Sequence, residues 1–167
     1  MLSVAVLALQ AAPAHAGPST VTVTGVSVQG DAVTIKKGHP LASDTTVTAG
    51  PITLTTSLGT RLVAWCVDLF HPIQAGTMQN LQYAVGTVTT DNSPSQNTLT
   101  AAQLTGIGRL ANYGQSLLDT GKGTNDTLAA VQVAIWSTEY GNFQYSGLGS
   151  ALASDALAKS ASFAATN

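Results

Sequence analysis

Residues 61–70, RLVAWCVDLF, lie within the strand-patterned first half of the chain. Apolar, aromatic and β-branched residues dominate this stretch, which predicts a strand. Successive side chains of a strand point to opposite faces, so the second half of the stretch divides into two sets. One face is expected to carry Cys66, Asp68 and Phe70, and the other to carry Trp65, Val67 and Leu69. Because an aspartate is rarely buried without a partner, the Cys66 face is expected to be polar or near a sheet edge.

The residues before this stretch predict further strands, because Thr and Val alternate there with a period of two. The predicted strands are 19–28, 32–37 and 45–57, and another is expected at 82–88. Turn-forming residues separate them at 29–31, 38–40 and 58–60.

The residues after position 90 predict helices instead. Apolar residues recur at helical spacing in 98–114 and 124–142, and an Ala-rich helix is expected in 149–165. Thr98 or Thr100 is expected to cap the first helix, and Gly114 is expected to end it in the left-handed conformation. Strands followed by helices predict an α+β fold, with an N-terminal β-barrel or β-sandwich half and a small helical bundle.

The composition favours an exported domain over a nucleic-acid-binding protein. Charged residues make up 8% of the 167, and the formal net charge is −2. This charged fraction is far below the roughly 25% of typical soluble proteins, so Thr, Ser, Asn, Gln and Gly must build the polar surface. The scattered basic residues form no patch that would neutralise phosphates, so no nucleic-acid partner is expected.

The first 16 residues, MLSVAVLALQAAPAHA, resemble a signal peptide, with a short apolar run and a small-x-small cleavage pattern. The charged segment that usually precedes such a run is missing, which predicts a natural start upstream of Met1. The alternative is a buried N-terminal strand or helix. We expect residues 17–167 to form a single exported domain, extracellular or at the cell surface, without a transmembrane segment.

Two residues are unusual in their surroundings. Cys66 is the only cysteine, so it cannot form an intramolecular disulfide, and a buried inert thiol, an intermolecular disulfide, a nucleophile or another covalent bond remain open. Gln132 lies within the apolar stripe of the second predicted helix, where a carboxamide must find hydrogen-bond partners. Near the end of that helix, Glu139 and Tyr140 are expected to face solvent.

The stretches AWCVDLF (64–70) and AAVQVAIW (129–136) resemble the paired motifs of bacterial thioester domains, across about residues 50–142. These surface-protein modules carry a second motif of the form Thr-Gln-x-Ala-Ile/Val-Trp, and this chain has Val131 in place of the Thr. The sequences of both stretches are also similar to stretches found in exported proteins of the PEP-CTERM type. The C-terminal sorting tail of that type does not occur before Asn167.

The resemblance implies an internal thioester between Cys66 and Gln132. Asp68 and His71 are then the groups for proton transfer, and Trp65 and Trp136 exclude water from the bond. The thioester would acylate amines on a target protein or surface, once per molecule. The chain is therefore expected to be an adhesin-like module and not an enzyme, with no cofactor and no metal.

Two other functions remain open from the sequence. A thiol hydrolase would use Cys66 as nucleophile and His71 as base, which requires a sharp turn at Pro72 and a third group that orients the histidine. An exported structural or matrix-associated domain would keep Cys66 as a buried, inert thiol, because cysteine is among the most buried residue types.

Overall fold

A computed structural model of the chain describes residues 6–8, 20–67, 69–70, 75–84 and 99–164. These residues form seven strands, then two helices, a short eighth strand and a third helix. The elements are β1 (Val6–Ala8), β2 (Thr20–Val28), β3 (Asp31–Ile35), β4 (Thr45–Ala49), β5 (Ile52–Thr56), β6 (Arg61–Cys66), β7 (Gly76–Ala84), α1 (Ala101–Asp119), α2 (Asn125–Glu139), β8 (Tyr145–Ser146) and α3 (Ser150–Ser160).

The predicted α+β class is confirmed in that most strands come first in the chain and the helices follow. Within the described ranges the strands form two antiparallel sheets and no closed barrel. The larger sheet has the order β1-β6-β5-β2-β7, and the smaller one has the order β4-β3-β8. No helix in this part of the chain is long and apolar enough to cross a membrane.

One bent ribbon connects the two sheets. β2 pairs with β5 in the larger sheet, and their continuations β3 and β4 pair in the smaller sheet. The pairs Val28↔Ile52 and Asp31↔Ala49 lie on opposite sides of the bend in the same register, so Gly30 lies opposite Gly50. The predicted single strand 45–57 is therefore wrong, because the chain bends at Gly50 and Pro51 and divides it into two.

Glycine is required at the bend because the two backbones approach closely. A Cβ at Gly30 would collide with the carbonyl oxygen of Ala49, and a Cβ at Gly50 would collide with that of Gln29. Gly50 also has a φ of 152°, which residues with a side chain rarely adopt. Through this bend the chain passes from the smaller sheet, which it leaves at Ala49, to the larger sheet, which it enters at Ile52.

Helix α2 is the central element of the core. It begins after Thr124, whose side chain accepts a hydrogen bond from the Thr127 N–H in a reciprocal capping box. Every residue from Leu128 to Trp136 is buried, because α1 and α3 pack on one side of the helix and β3, β4 and β6 lie on the other. Such all-round burial is typical of a core helix.

Helix α1 extends beyond its predicted end. Thr100 is its N-cap, as one of the two predicted residues, but the helix continues to Asp119. The prediction that Gly114 ends it is wrong: Gly114 is buried inside the helix, and the Trp65 ring lies against it. The glycine is explained by close packing instead of chain termination. The third predicted helix is present as α3.

The stretch 61–70 is a strand only as far as Cys66, so the predicted alternation does not continue past Val67. Leu69 packs in the same apolar cluster as Cys66 and Phe70, which corrects its assignment to the opposite face. The predicted strand 82–88 is β7, which begins earlier, at Gly76; residues 85–88 lie outside the described ranges.

The segment resembling a signal peptide contributes β1, which pairs with the end of β6 through Val6↔Cys66, Leu7↔Trp65 and Ala8↔Ala64. The pairing describes the uncleaved chain. Cleavage after Ala16 stays a prediction.

Candidate functional site

The Gln132 side chain forms two hydrogen bonds with the backbone of Cys66. The Cys66 N–H donates to Gln132 Oε1 at 3.0 Å, and Gln132 Nε2 donates to the Cys66 carbonyl oxygen at 2.7 Å. The structure thus brings together the two residues that the sequence singled out, although 66 positions separate them. Gln132 is 1% exposed, and Cys66 is half-buried.

The bend of the ribbon explains why the Cys66 backbone is accessible to a side chain. The Gln29 N–H donates to the Pro51 carbonyl, so by alternation the backbone groups of Ile52 point away from β2, towards Ala64 of β6. Cys66 lies two residues after Ala64 in β6, so its backbone N–H and C=O groups also point to the β5 side of the strand. At this position the chain before Ile52 has bent away, and no β5 residue lies opposite Cys66. The Gln132 carboxamide occupies that position of the ladder and supplies both missing bonds.

This pairing satisfies a carboxamide that would otherwise be costly to bury. An unsatisfied buried amide costs about 1–3 kcal/mol, and here the backbone provides an acceptor and a donor. The same two bonds fix the orientation of the amide, because its oxygen meets an N–H and its nitrogen meets a carbonyl. The expectation from the sequence that Gln132 needs specific partners is confirmed.

One hydrogen bond of this pair is of a kind that acyl chemistry at Gln132 would use. A backbone N–H that binds Oε1 is a donor of the oxyanion-hole type, because negative charge develops on this oxygen when a nucleophile attacks the carbonyl carbon. The nucleophile nearest in sequence to that donor is the Cys66 thiol of the same residue. Both Cys66 and Gln132 line one cavity.

The cavity has a volume of about 320 Å³ and lies between the two sheets. It is lined by Val28, Thr46, Val47, Thr48, Gly50, Ile52, Cys66, Leu69, Ala75, Gln132 and Trp136. These described lining residues are apolar or neutral, so a charged group that enters the cavity is desolvated without a countercharge from them. The sequence did not single out the β4 residues of this lining; the Gly50-Pro51 pair was the one local signal that the chain bends before β5.

The two tryptophans named from the sequence lie on different sides of the site. Trp136 is 3% exposed and lines the cavity one helical turn from Gln132. Within the described ranges its indole Nε1 has no hydrogen-bond partner, so the ring contributes mainly its apolar surface. Trp65 is also 3% exposed but packs with Ile107 and Leu110 in the helical core.

Asp68 and His71, the residues named for proton transfer, lie outside the described residues. Between them, the Leu69 N–H donates to the Tyr140 hydroxyl at 3.3 Å, and the Phe70 and Tyr140 rings pack edge to face at 6.2 Å. Tyr140 is buried, as is Glu139, so the prediction that both face solvent is wrong. Leu69 and Phe70 pack against Tyr140, and the Gln103 side chain of α1 donates to the Glu139 carbonyl oxygen.

None of the described groups with a shifted pKa is among the residues that line the cavity. The carboxyl groups of Asp31 and Asp126 share a hydrogen bond, which together with burial and the charge of Asp126 raises the pKa of Asp31. Asp126 is six residues before Gln132, about 9 Å along the helix axis. The Lys37 N–H and the Lys36 ammonium group bind Asp44 and lower its pKa.

Val131, which replaces the Thr of the thioester-domain motif, is fully buried among apolar residues of the helical core. The donor to Gln132 Oε1 in this chain is the Cys66 N–H. Comparison of the chain with family models, with curated proteins and with solved structures finds no match.

Proposed function

We propose that this chain is an exported adhesin-like module in which Cys66 and Gln132 form an internal thioester that acylates amines on a target surface. The observation that carries the proposal is the reciprocal pair of hydrogen bonds between the Gln132 carboxamide and the Cys66 backbone. These bonds hold the electrophilic group beside the residue that carries the only thiol of the chain. The covalent bond, the export and the adhesive role are all parts of this proposal.

In the first step the Cys66 thiolate attacks the Gln132 side-chain carbonyl carbon. The negative charge that develops on Oε1 is stabilised by the Cys66 N–H, 3.0 Å away in the starting amide. The proton lost by the thiol is transferred to Nε2, and the Cys66 carbonyl oxygen already accepts a hydrogen bond from this nitrogen. The C–N bond then breaks, ammonia leaves, and a C–S bond remains.

In the second step an unprotonated amine attacks the same carbonyl carbon. The C–S bond breaks, the amine proton goes to the departing sulfur, and an amide joins the target to residue 132. Each molecule reacts once, so the activity is attachment without turnover. Trp136, in the lining of the cavity, limits the access of water to the thioester before the target arrives.

The intact mass of the purified protein tests the proposal, with Cys66→Ala as the matched control. We expect the parent protein to be lighter than its sequence by one ammonia. Methylamine should convert this species into a methylamide on residue 132, which is heavier than the sequence by one methylene group, and make one thiol reactive. A parent protein of full mass, with Cys66 alkylated on denaturation as readily as any thiol, would rule out the thioester.

An exported structural domain with an inert Cys66 thiol is the second candidate. Its supporting observation is that the two hydrogen bonds already satisfy the buried carboxamide, so the geometry has a purely structural explanation. On this alternative, Gln132 serves to complete the ladder at the end of β6. The mass measurement separates the two candidates, because only the thioester requires the loss of ammonia.

A further inference from the structure

The outer edge of β4 lies beside the Cys66–Gln132 cavity. The Lys36 N–H donates to the Gln144 carbonyl at 2.9 Å, so the backbone groups of Lys36 point towards the β8 side. Backbone groups alternate along a strand, so those of Ile35 and Val33 point towards β4 and bond with Thr45 and Val47. The N–H and C=O groups of Thr46 and Thr48 therefore point outwards from the sheet.

The larger sheet gives the same result independently. Backbone groups of Ile52 point towards β6, and β4 continues β5 through the bend in one register. The direction of the backbone groups repeats every second residue, so the groups of Thr48 and Thr46 point to the same side as those of Ile52. This is the side on which β6 would lie if it extended beyond Cys66. β6 ends at Cys66, so within the described ranges no strand pairs with this edge of β4.

Thr46 and Thr48 are exposed, and both line the cavity that Cys66 and Gln132 also line. A row of outward N–H and C=O groups at the repeat of a β-ladder matches one kind of ligand, an extended polypeptide backbone. A segment that pairs with these two residues must pass over the cavity. Its side chains on one face then point towards Gln132.

We infer that the outer edge of β4 binds an extended polypeptide segment as an added strand, and that this strand presents a lysine side chain to Gln132 through the cavity. For its covalent step the inference rests on the proposed thioester. The lysine Nζ attacks the Gln132 carbonyl carbon, the C–S bond breaks, and the Nζ proton goes to the Cys66 sulfur. The described lining of the cavity has no charge, which favours the unprotonated lysine that the reaction needs.

Strand addition can be measured without the thioester, in the Cys66→Ala protein. The probe is a short peptide of alternating Thr and Val with one central Lys and blocked termini. We expect saturable shifts of the Thr46 and Thr48 amide signals in nuclear magnetic resonance spectra. A control peptide that carries N-methyl groups on alternate backbone nitrogens lacks the ladder donors and should bind at least about tenfold more weakly. Equal binding of the two peptides, no binding, or shifts confined to other surfaces would overturn the inference.

A pair of variants at residue 48 tests the edge from the protein side. Thr48→Pro removes the outward N–H but none of the bonds to β3, and proline is tolerated on edge strands. Thr48→Val keeps the N–H and removes only the hydroxyl, so it should lose much less affinity for the same peptide. Thermal unfolding of both variants shows whether each folds. If Thr48→Pro does not fold, the comparison with the N-methylated peptide tests strand addition instead. Equal affinity of the two folded variants would contradict strand addition.

The results also separate this inference from the proposed function. Peptide binding to the Cys66→Ala protein, together with no methylamine reaction in the parent protein, would leave a strand-binding module without covalent capture. Methylamine reaction of the parent, without strand binding, would keep the thioester and overturn the role of β4.

Discussion

The Trp65 indole fills the space that a side chain at residue 114 would need. A Cβ built on Gly114 would collide with Cζ2 of the ring and lie 2.8 Å from Cη2. This contact joins β6 to α1 one residue before Cys66. The strand end that carries the thiol is thereby held against the helical core.

Replacement of Gly114 by alanine should therefore destabilise the fold, although alanine normally stabilises a helix interior by about 1 kcal/mol relative to glycine. We expect Gly114→Ala to lower the free energy of unfolding by about 1–3 kcal/mol, because neither the ring nor the helix backbone can easily move away. Urea denaturation measures the change. Gly141→Ala is the control, because a Cβ there would meet no atom within 4 Å. Equal stability of the two variants would show that Trp65 does not pack as described.

Replacement of Gln132 by glutamate, in a Cys66→Ala background without thioester chemistry, should make stability depend on pH. The Cys66 carbonyl that now accepts from Nε2 would face a carboxylate oxygen, so burial and repulsion raise the pKa of the introduced carboxyl. A raised pKa in the folded state means that stability is greatest below the unfolded pKa of about 4.3 and falls as the pH rises. Near neutral pH we expect a loss of about 1–3 kcal/mol against the Cys66→Ala parent. Urea denaturation at several pH values checks this, and a constant difference between the two proteins would contradict it.

The pair of carboxyl groups at Asp31 and Asp126 predicts a pH dependence of stability with the same sign. The pKa of Asp31 is raised, so the folded state holds its proton more tightly than the unfolded state, and this contribution is lost as the pH rises through the raised value. We expect Asp31→Asn to stabilise the protein at neutral pH and to have less effect in acid, as measured by thermal unfolding.

Asp44 is the matched control for that experiment, because its pKa is lowered by the Lys37 N–H and the Lys36 side chain. Its contribution is present above the unfolded pKa and is lost as the pH falls. Asp44→Asn should therefore destabilise at neutral pH and have less effect in acid. The same pH dependence for both variants would contradict the opposite shifts.

Trp136 should control the lifetime of the thioester if the bond forms. Its side chain lines the cavity, so Trp136→Ala opens space for water beside Gln132. We expect faster hydrolysis in this variant, measured as the growth of a species that is heavier than the thioester form by one water. Trp136→Phe keeps an aromatic ring and loses only an Nε1 for which the described residues provide no partner, so it should change the rate much less. Equal rates for the two variants would show that Trp136 does not limit the access of water.

The sequence by itself determined the order of the elements and the two unusual residues. Period-two alternation of Thr and Val predicted β2 and β3, and apolar residues at helical spacing predicted α2, because these signals are local properties of the backbone and of neighbouring side chains. The single cysteine and the glutamine in an apolar stripe were visible because each conflicts with its immediate surroundings. That the two residues meet followed only as a hypothesis from the resemblance, and their hydrogen bonds did not follow from the sequence.

The tertiary structure alone decided where these elements meet. Gly114 has the sequence signature of a helix end but serves as packing space for Trp65, a contact between residues 49 positions apart. The bend at Gly30 and Gly50 removes β5 from beside Cys66, and this is what allows Gln132 to enter the ladder. Such contacts depend on the close approach of distant segments, and no periodicity along the chain encodes that distance.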